Sequence, residues 1–357
     1  MSAPHATIDF DDVEALLAAD RGGLLRAASM AGAQVRATAA ALEEGALESV
    51  ASDQPPRTVI WVAGRGNAET AGSILAAALG GSAGAPIVVG SEAPPWIGAL
   101  DVLVVAGDDP GDPAVLGAAA TAVRRGARVV VVAPYEGPLR DATAGRAAVL
   151  EPRLWVPDDF GLSRYLAAGL AVLHVVDPGI RMDLAALADE LDAEALRNSA
   201  PRELFTNPAK TLADRMSGRT VVLSGDNAAT VALARHGGAI MLRIAHQAVA
   251  AVGLPDAIVA LRTGLGNDTD RDAGLFHDEE IDGPLPDRIR TLVLTLHDER
   301  AVVGARVAGL DDVDLVGAED VPDASESPVA TGRPEQELAM LAVRLEMAAT
   351  YLRLARG

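Results

Sequence analysis

The chain has 357 residues, half of them apolar and only 3% aromatic, and a formal net charge of −20. A field of that sign disfavours nucleic acid and anionic membrane surfaces, which bind through positive patches that release counterions. No cysteine is present, which excludes disulfides, thiolate catalysis and zinc–thiolate sites, and Lys210 is the sole lysine. The apolar runs, such as 102–106 and 129–133, are far shorter than the ~18 residues of a membrane span. The first 25 residues lack the basic start and apolar centre of a signal peptide. The expectation is a soluble cytoplasmic protein of two ordinary domains, whose cores are built from Ala, Val and Leu.

From Phe10 to about Ser49, Leu16, Leu17, Leu24, Leu25 and Ala28 recur at helical spacing, and Pro55-Pro56 closes the segment. A continuous apolar run at 58–62 then ends in Gly64-Arg65-Gly66, followed by an Ala-rich helical stretch. Further runs fall at 87–89, 102–105 and 129–132, with a helical segment at 113–125 closed by Gly126. Short all-apolar strands alternating with helices predict a parallel sheet covered on both faces. The same grammar restarts later. A helix over 182–196 precedes a strand at 220–223 that leads into Ser224-Gly225-Asp226-Asn227. The pattern then predicts a helix over 228–251, strands at 257–262 and 291–296, and a final helix at 334–355. The expected organisation is two α/β domains, 1–195 and 196–357, with residues 318–334 as a loop rich in Pro, Ser and acids.

Several stretches carry a family resemblance. Asn207-Pro208-Ala209-Lys210-Thr211-Leu212-Ala213, then Gly218-Arg219 and a strand ending in Gly225, resemble the start of the second domain of the bifunctional phosphoglucose/phosphomannose isomerases. These are proteins of two sugar-isomerase (SIS) domains. Arg235 matches an arginine of that family, and Glu337–Gly357, with Tyr351-Leu352, resembles its terminal helix. The resemblance implies two SIS-type domains, each a parallel sheet flanked by helices, and aldose–ketose interconversion of hexose 6-phosphates. It also implies a homodimer, a sugar or sugar-phosphate ligand and no cofactor.

The chemistry of such a reaction needs a phosphate cradle, a base and a ring-opening acid. Helix N-terminal N–H groups and Ser/Thr hydroxyls suit the first. The turn at the position the resemblance assigns to the cradle is Ala106-Gly107-Asp108-Asp109-Pro110-Gly111-Asp112, with three carboxylates and no hydroxyl. At ~4 Å and an effective dielectric near 20, each pair of like unit charges repels by about 4 kcal/mol. The residues themselves read as Asp side chains capping a helix. The family's G-x-G-G-S turn is matched by Gly64-Arg65-Gly66-Asn67-Ala68, without its serine, and Arg65 is the cation placed to meet an anion there. Read as G-x-G-x-x-G, the same turn would be a dinucleotide fingerprint with Glu69 at its third glycine. The resemblance puts the general base at Leu242, which cannot carry a proton, and leaves no histidine in Leu254–Val259 and no arginine at Phe160. Arg235, Leu242 and His246 share a face at helical spacing, so His246 is a candidate displaced base or a structural histidine.

Elsewhere, Asp268, Asp270, Asp272 and Glu279 have the spacing of a calcium loop, though Ala273 stands where its glycine belongs. His277-Asp278-Glu279 and His297-Asp298-Glu299 carry ligand types for a metal, but read equally as polar element edges. Candidate ligand-binding residues are therefore Gly64, Arg65, Gly66, Asn67, Asp108, Arg235, Arg243 and His246. Three functions fit: a SIS protein that binds a sugar derivative or a partner with its catalysis lost or remodelled, an active isomerase with relocated groups, or a structural protein whose cleft is filled by Leu242. A ligand should lie at the C-terminal ends of the strands.

Overall fold

The computed structural model describes residues 7–265, 289–320 and 333–356. The chain divides into two compact units. One is formed by 22–199 with 332–344; the other joins 1–21, 200–331 and 345–357. No helix among the described residues is long and apolar enough to cross a membrane.

The first unit opens, after α1 (Val13–Ala19) of the other unit, with α2 (Leu24–Ala28) and α3 (Ala31–Glu43). An α/β series follows: β1 (Thr58–Ala63), α4 (Asn67–Leu79), β2 (Ile87–Gly90), β3 (Asp101–Ala106), α5 (Pro113–Arg124), β4 (Arg128–Val132), α6 (Gly137–Thr143) and β5 (Ala147–Val149). Helices α7 (Leu162–Val176) and α8 (Leu184–Arg197) complete it. The five strands are all parallel, in the order β2-β1-β3-β4-β5. Strands β1 and β3 are buried along their whole length, which is why they read as unbroken apolar runs rather than alternating ones. On one face Ile60, Val62, Leu103, Val105, Val129 and Val131 pack against Val115, Ala118, Ala119 and Ala122 of α5. Small alanines let the helix approach closely, so an aromatic-poor core still closes. Deep in the unit Glu194 pairs with Arg344 at 2.8 Å and also accepts from Asn198 and Arg197. Burial pushes this carboxyl up, but Arg344 and the other donors outweigh it and hold the group below the ordinary carboxylate range.

The second unit takes α9 (Pro208–Met216), β6 (Thr220–Gly225), α10 (Ala228–Arg243), β7 (Ala250–Gly253), α11 (Leu254–Arg262), β8 (Ile289–Leu294), α12 (Arg300–Val307) and β9 (Val313–Val316). A parallel sheet of order β7-β6-β8-β9 results. The terminal helix α13 (Pro334–Ala355) gives its first turns to one unit and the rest to the other. The Asn-Pro-Ala-Lys stretch has a structural role here. Asn207 caps α9 by accepting from the Lys210 N–H, and Pro208 fills its first turn. The buried Lys210 ammonium donates to the carbonyls of Ala200 (2.8 Å) and Arg202 (2.7 Å) and lies over the Tyr351 ring. Burial lowers the pKa of that lysine.

The predicted α/β class with two helix-flanked parallel sheets is what the structure has. Two expected elements are corrected. Residues 257–262, expected as a strand, belong to helix α11. Pro255 sits in its first turn, Asp256 favours its positive end, and Leu254, Ala257 and Ile258 bury one helical face. The helix expected over 228–251 stops at Arg243. His246 adopts φ +52, a left-handed conformation that cannot continue the helix, and the chain turns into β7.

Candidate functional site

In a doubly wound sheet of order 2-1-3-4-5 the crevice opens between β1 and β3, beyond their C-terminal ends. Two turns meet there: Gly64-Arg65-Gly66 after β1, and Gly107–Asp112 after β3. The crevice is closed by a side chain. Asp112 caps α5, accepting from the N–H groups of Ala114 (2.8 Å) and Val115 (3.4 Å). Its other oxygen lies 2.4 Å from where a Cβ on Gly64 would stand. The donors that a helix N-terminus would offer an anion are thus bonded to an internal carboxylate.

The predicted site residues separate accordingly. Arg65 and Gly66 are exposed in the turn. Asn67 opens α4 but turns inward: its buried amide donates to the carbonyls of Asp158 (2.6 Å) and Asp159 (3.2 Å). Asp108 faces the next gap in the sheet edge. It accepts from Arg164 and from the Tyr165 hydroxyl, each at 2.5 Å, and the Arg164 guanidinium rests 4.3 Å above the Tyr165 ring. Burial, and then the adjacent carboxylate, push the Tyr165 hydroxyl well above its ordinary range, so it stays a donor.

This gap is a cavity of about 320 Å³. It lies beyond the ends of β3, β4 and β5, with Asp108, Pro134 and Pro152 at its walls. The loop 152–161 forms its rim with Arg153, Leu154, Trp155 and Asp158, and Arg164 reaches in from α7. Two amides fix the loop: that of Asn67 and that of Gln34 on α3, which donates to the Phe160 carbonyl at 2.9 Å. Both arginines face carboxylates. Arg164 pairs with Asp108, and Arg153 with Glu44 through two bonds of 2.8 and 2.6 Å. Nη1 of Arg164 is buried without a hydrogen-bond partner. Asp158 is held above the ordinary carboxylate range by burial first and by Asp108 second. Trp155 is 86% exposed at the rim.

Arg235, Arg243 and His246 do not join a strand-end crevice. Helix α10 starts at the C-terminal edge of its sheet, and at 1.5 Å per residue Arg235 lies about 10 Å and Arg243 about 22 Å along it. His246 follows the helix end, with its Nδ1 3.3 Å from Arg353. All three are exposed, as is Leu242 at 58%, so Leu242 fills no cleft. At the edge between β6 and β8, Asn227 caps α10 and its amide also donates to Glu299 at 2.7 Å. His297-Asp298-Glu299 forms a short turn there, and among the described residues no cluster of ligands could hold a metal ion. The calcium-type loop Asp268–Glu279 lies outside the described residues.

Of the residues singled out in the sequence, Asp108 lines this cavity, whereas its Arg153, Trp155, Asp158 and Arg164 were not singled out. The available signal was a tryptophan between two prolines, Pro152 and Pro157, in a chain almost without aromatics.

An open, wholly parallel α/β pair of this kind is shared with solved structures that cover nearly the whole chain. One is a glucose-6-phosphate isomerase like protein from Thermus thermophilus, 19% identical, covering 98% of this chain and 94% of its own, with a TM-score of 0.56. Another is tagatose-6-phosphate ketose/aldose isomerase from Escherichia coli, 14% identical over 100% and 95%, TM-score 0.62. A third is the C-terminal domain of glucosamine-fructose-6-phosphate aminotransferase from Francisella tularensis, 11% identical over 94% and 96%, TM-score 0.58. No protein-family model and no curated protein matches the sequence. The chain therefore has the fold of the phosphosugar isomerases and SIS-domain proteins.

Proposed function

We propose that this chain binds a sugar derivative at the strand-end cavity of its first unit, with the aldose–ketose isomerase chemistry of its structural relatives lost or remodelled. One observation carries the reading. Asp112 satisfies the N–H groups of α5 and packs on Gly64, so the place where a phosphate would be cradled is already held by a carboxylate. The position that the sequence resemblance assigns to the base is an exposed leucine, Leu242, and loss of a positioned base costs roughly 10²–10⁴ in rate. The reading takes the protein as a cytoplasmic homodimer that works without a cofactor.

A coupled assay with fructose 6-phosphate, following glucose 6-phosphate and mannose 6-phosphate, tests it. No turnover is expected at high protein concentration. A rate above ~1 s⁻¹, within the ordinary enzyme range, overturns the loss of catalysis. It would establish the second reading, which the two arginines at the cavity favour: an active hexose 6-phosphate isomerase with relocated groups.

A further inference from the structure

We infer that the cavity beyond β3, β4 and β5 takes an unphosphorylated monosaccharide, seated on the indole of Trp155 and hydrogen-bonded by Arg164, Asp108 and Asp158. The inference rests on the sugar-binding reading above and narrows it to a ligand class.

Size is the first argument. At about 320 Å³ the cavity stands at the small end of ligand pockets, which run from roughly 300 to 1,000 Å³. That suits one sugar ring.

Chemistry is the second. A hexose presents a ring of hydroxyls, each both donor and acceptor, and an apolar face of C–H groups. Hydroxyls need donors and acceptors side by side, and the wall supplies both: guanidinium N–H groups of Arg153 and Arg164, and carboxylate oxygens of Asp108 and Asp158. The C–H face needs an electron-rich ring. Trp155 is 86% exposed in a chain that has three tryptophans, and it stands at the rim of this cavity. An indole face carries partial negative charge that attracts polarised C–H groups.

Charge is the third. Arg153 is paired with Glu44, and Arg164, paired with Asp108, is also the cation that acts on Asp158, so both arginines at the wall are already engaged. A phosphate dianion would meet the Asp108 and Asp158 carboxylates and compete with them for arginines that are already paired. A neutral sugar meets no such repulsion. The loop is also preformed, since Asn67 and Gln34 hold it through its backbone carbonyls, so little ordering is needed on binding.

Isothermal titration of the full chain with glucose, mannose and fructose, and with the 6-phosphate of each, tests the inference. At least one free hexose should bind, and its 6-phosphate at least tenfold more weakly. Trp155→Ala should weaken the free hexose by roughly tenfold, while Trp155→Phe, which keeps a ring face, should retain most of the affinity. Trp155 is exposed, so neither variant threatens folding. A 6-phosphate that binds more tightly than its free sugar overturns the ligand class but leaves the sugar-binding reading standing. Unchanged affinity in Trp155→Ala overturns the site. Binding of none of the six overturns the sugar-binding reading as well.

Discussion

The two sheets close the gap beside their leading strands with different atoms. After β1 the chain runs through Gly64, and the obstacle to any larger residue is the Asp112 carboxylate, 2.4 Å from a Cβ there. After β6 it runs through Gly225, and the obstacle is the backbone of α10: a Cβ would stand 2.4 Å from the Thr230 carbonyl carbon and 2.5 Å from the Val231 nitrogen. The first closure is made by one side chain that a single substitution removes. The second is made by the packing of a helix on its strand and belongs to the fold itself. A strand-end crevice can therefore reopen at the first edge and not at the second.

Alanine at each glycine should break the two edges unequally. Gly225→Ala is expected to have the larger effect, more than about 3 kcal/mol, because the helix must shift as a body. Gly64→Ala is expected to destabilise by about 1–3 kcal/mol, since a side chain can yield where a backbone cannot. Denaturant unfolding of both variants measures the difference. A double-mutant cycle sharpens it. Serine at Asp112 keeps a cap on α5 but removes the oxygen that meets Gly64. Gly64→Ala should then cost less in the Asp112→Ser background, with a coupling of about 1 kcal/mol or more. Strict additivity would mean that something other than Asp112 dictates glycine at 64.

How much of this was legible in the sequence follows from where the physics is local. Strands β1, β3 and β4 could be read because burial on both faces leaves unbroken apolar runs, and the two-sheet architecture followed from their alternation with helices. Residues 257–262 misled because Ala-Ile-Val-Ala-Leu suits either state by composition. What decides is Pro255 and Asp256 at the helix start, together with burial spaced at 254, 257 and 258. The overlong reading of α10 has another cause: no glycine or proline marks its end, and the left-handed residue is His246. That error also produced the apparent common face of Arg235, Leu242 and His246, which needs a helix running three residues further than it does. The cavity was the least legible feature. Its walls come from four separate stretches, around 34, 108, 134 and 152–164, and no periodicity links them. Asp108 and Asn67 were visible because they sit in strand-end turns. Arg164 and Asp158 were not, since a lone charge in a loop or first helical turn reads as solvated.

The smallest expected effect concerns the charge left at the first edge. Asp158 has its pKa raised by burial, with the neighbouring Asp108 adding to it. A carboxyl with a folded pKa above its unfolded value binds its proton more tightly in the native state. It therefore lowers stability once pH exceeds the folded value and ceases to do so as pH falls below the unfolded one. Asp158→Asn removes that penalty, so the variant should melt slightly higher than the parent at pH 7. The gap should narrow as pH drops through the carboxylate range and close once Asp158 is protonated in both states. Because Asp158 is largely solvent-exposed, screening keeps the difference small, and paired thermal melts at several pH values are needed to resolve it. A gap that persists unchanged at low pH would mean that the amide gains a hydrogen bond of its own. Asp158 would then not be a charge that turns phosphate away from the cavity.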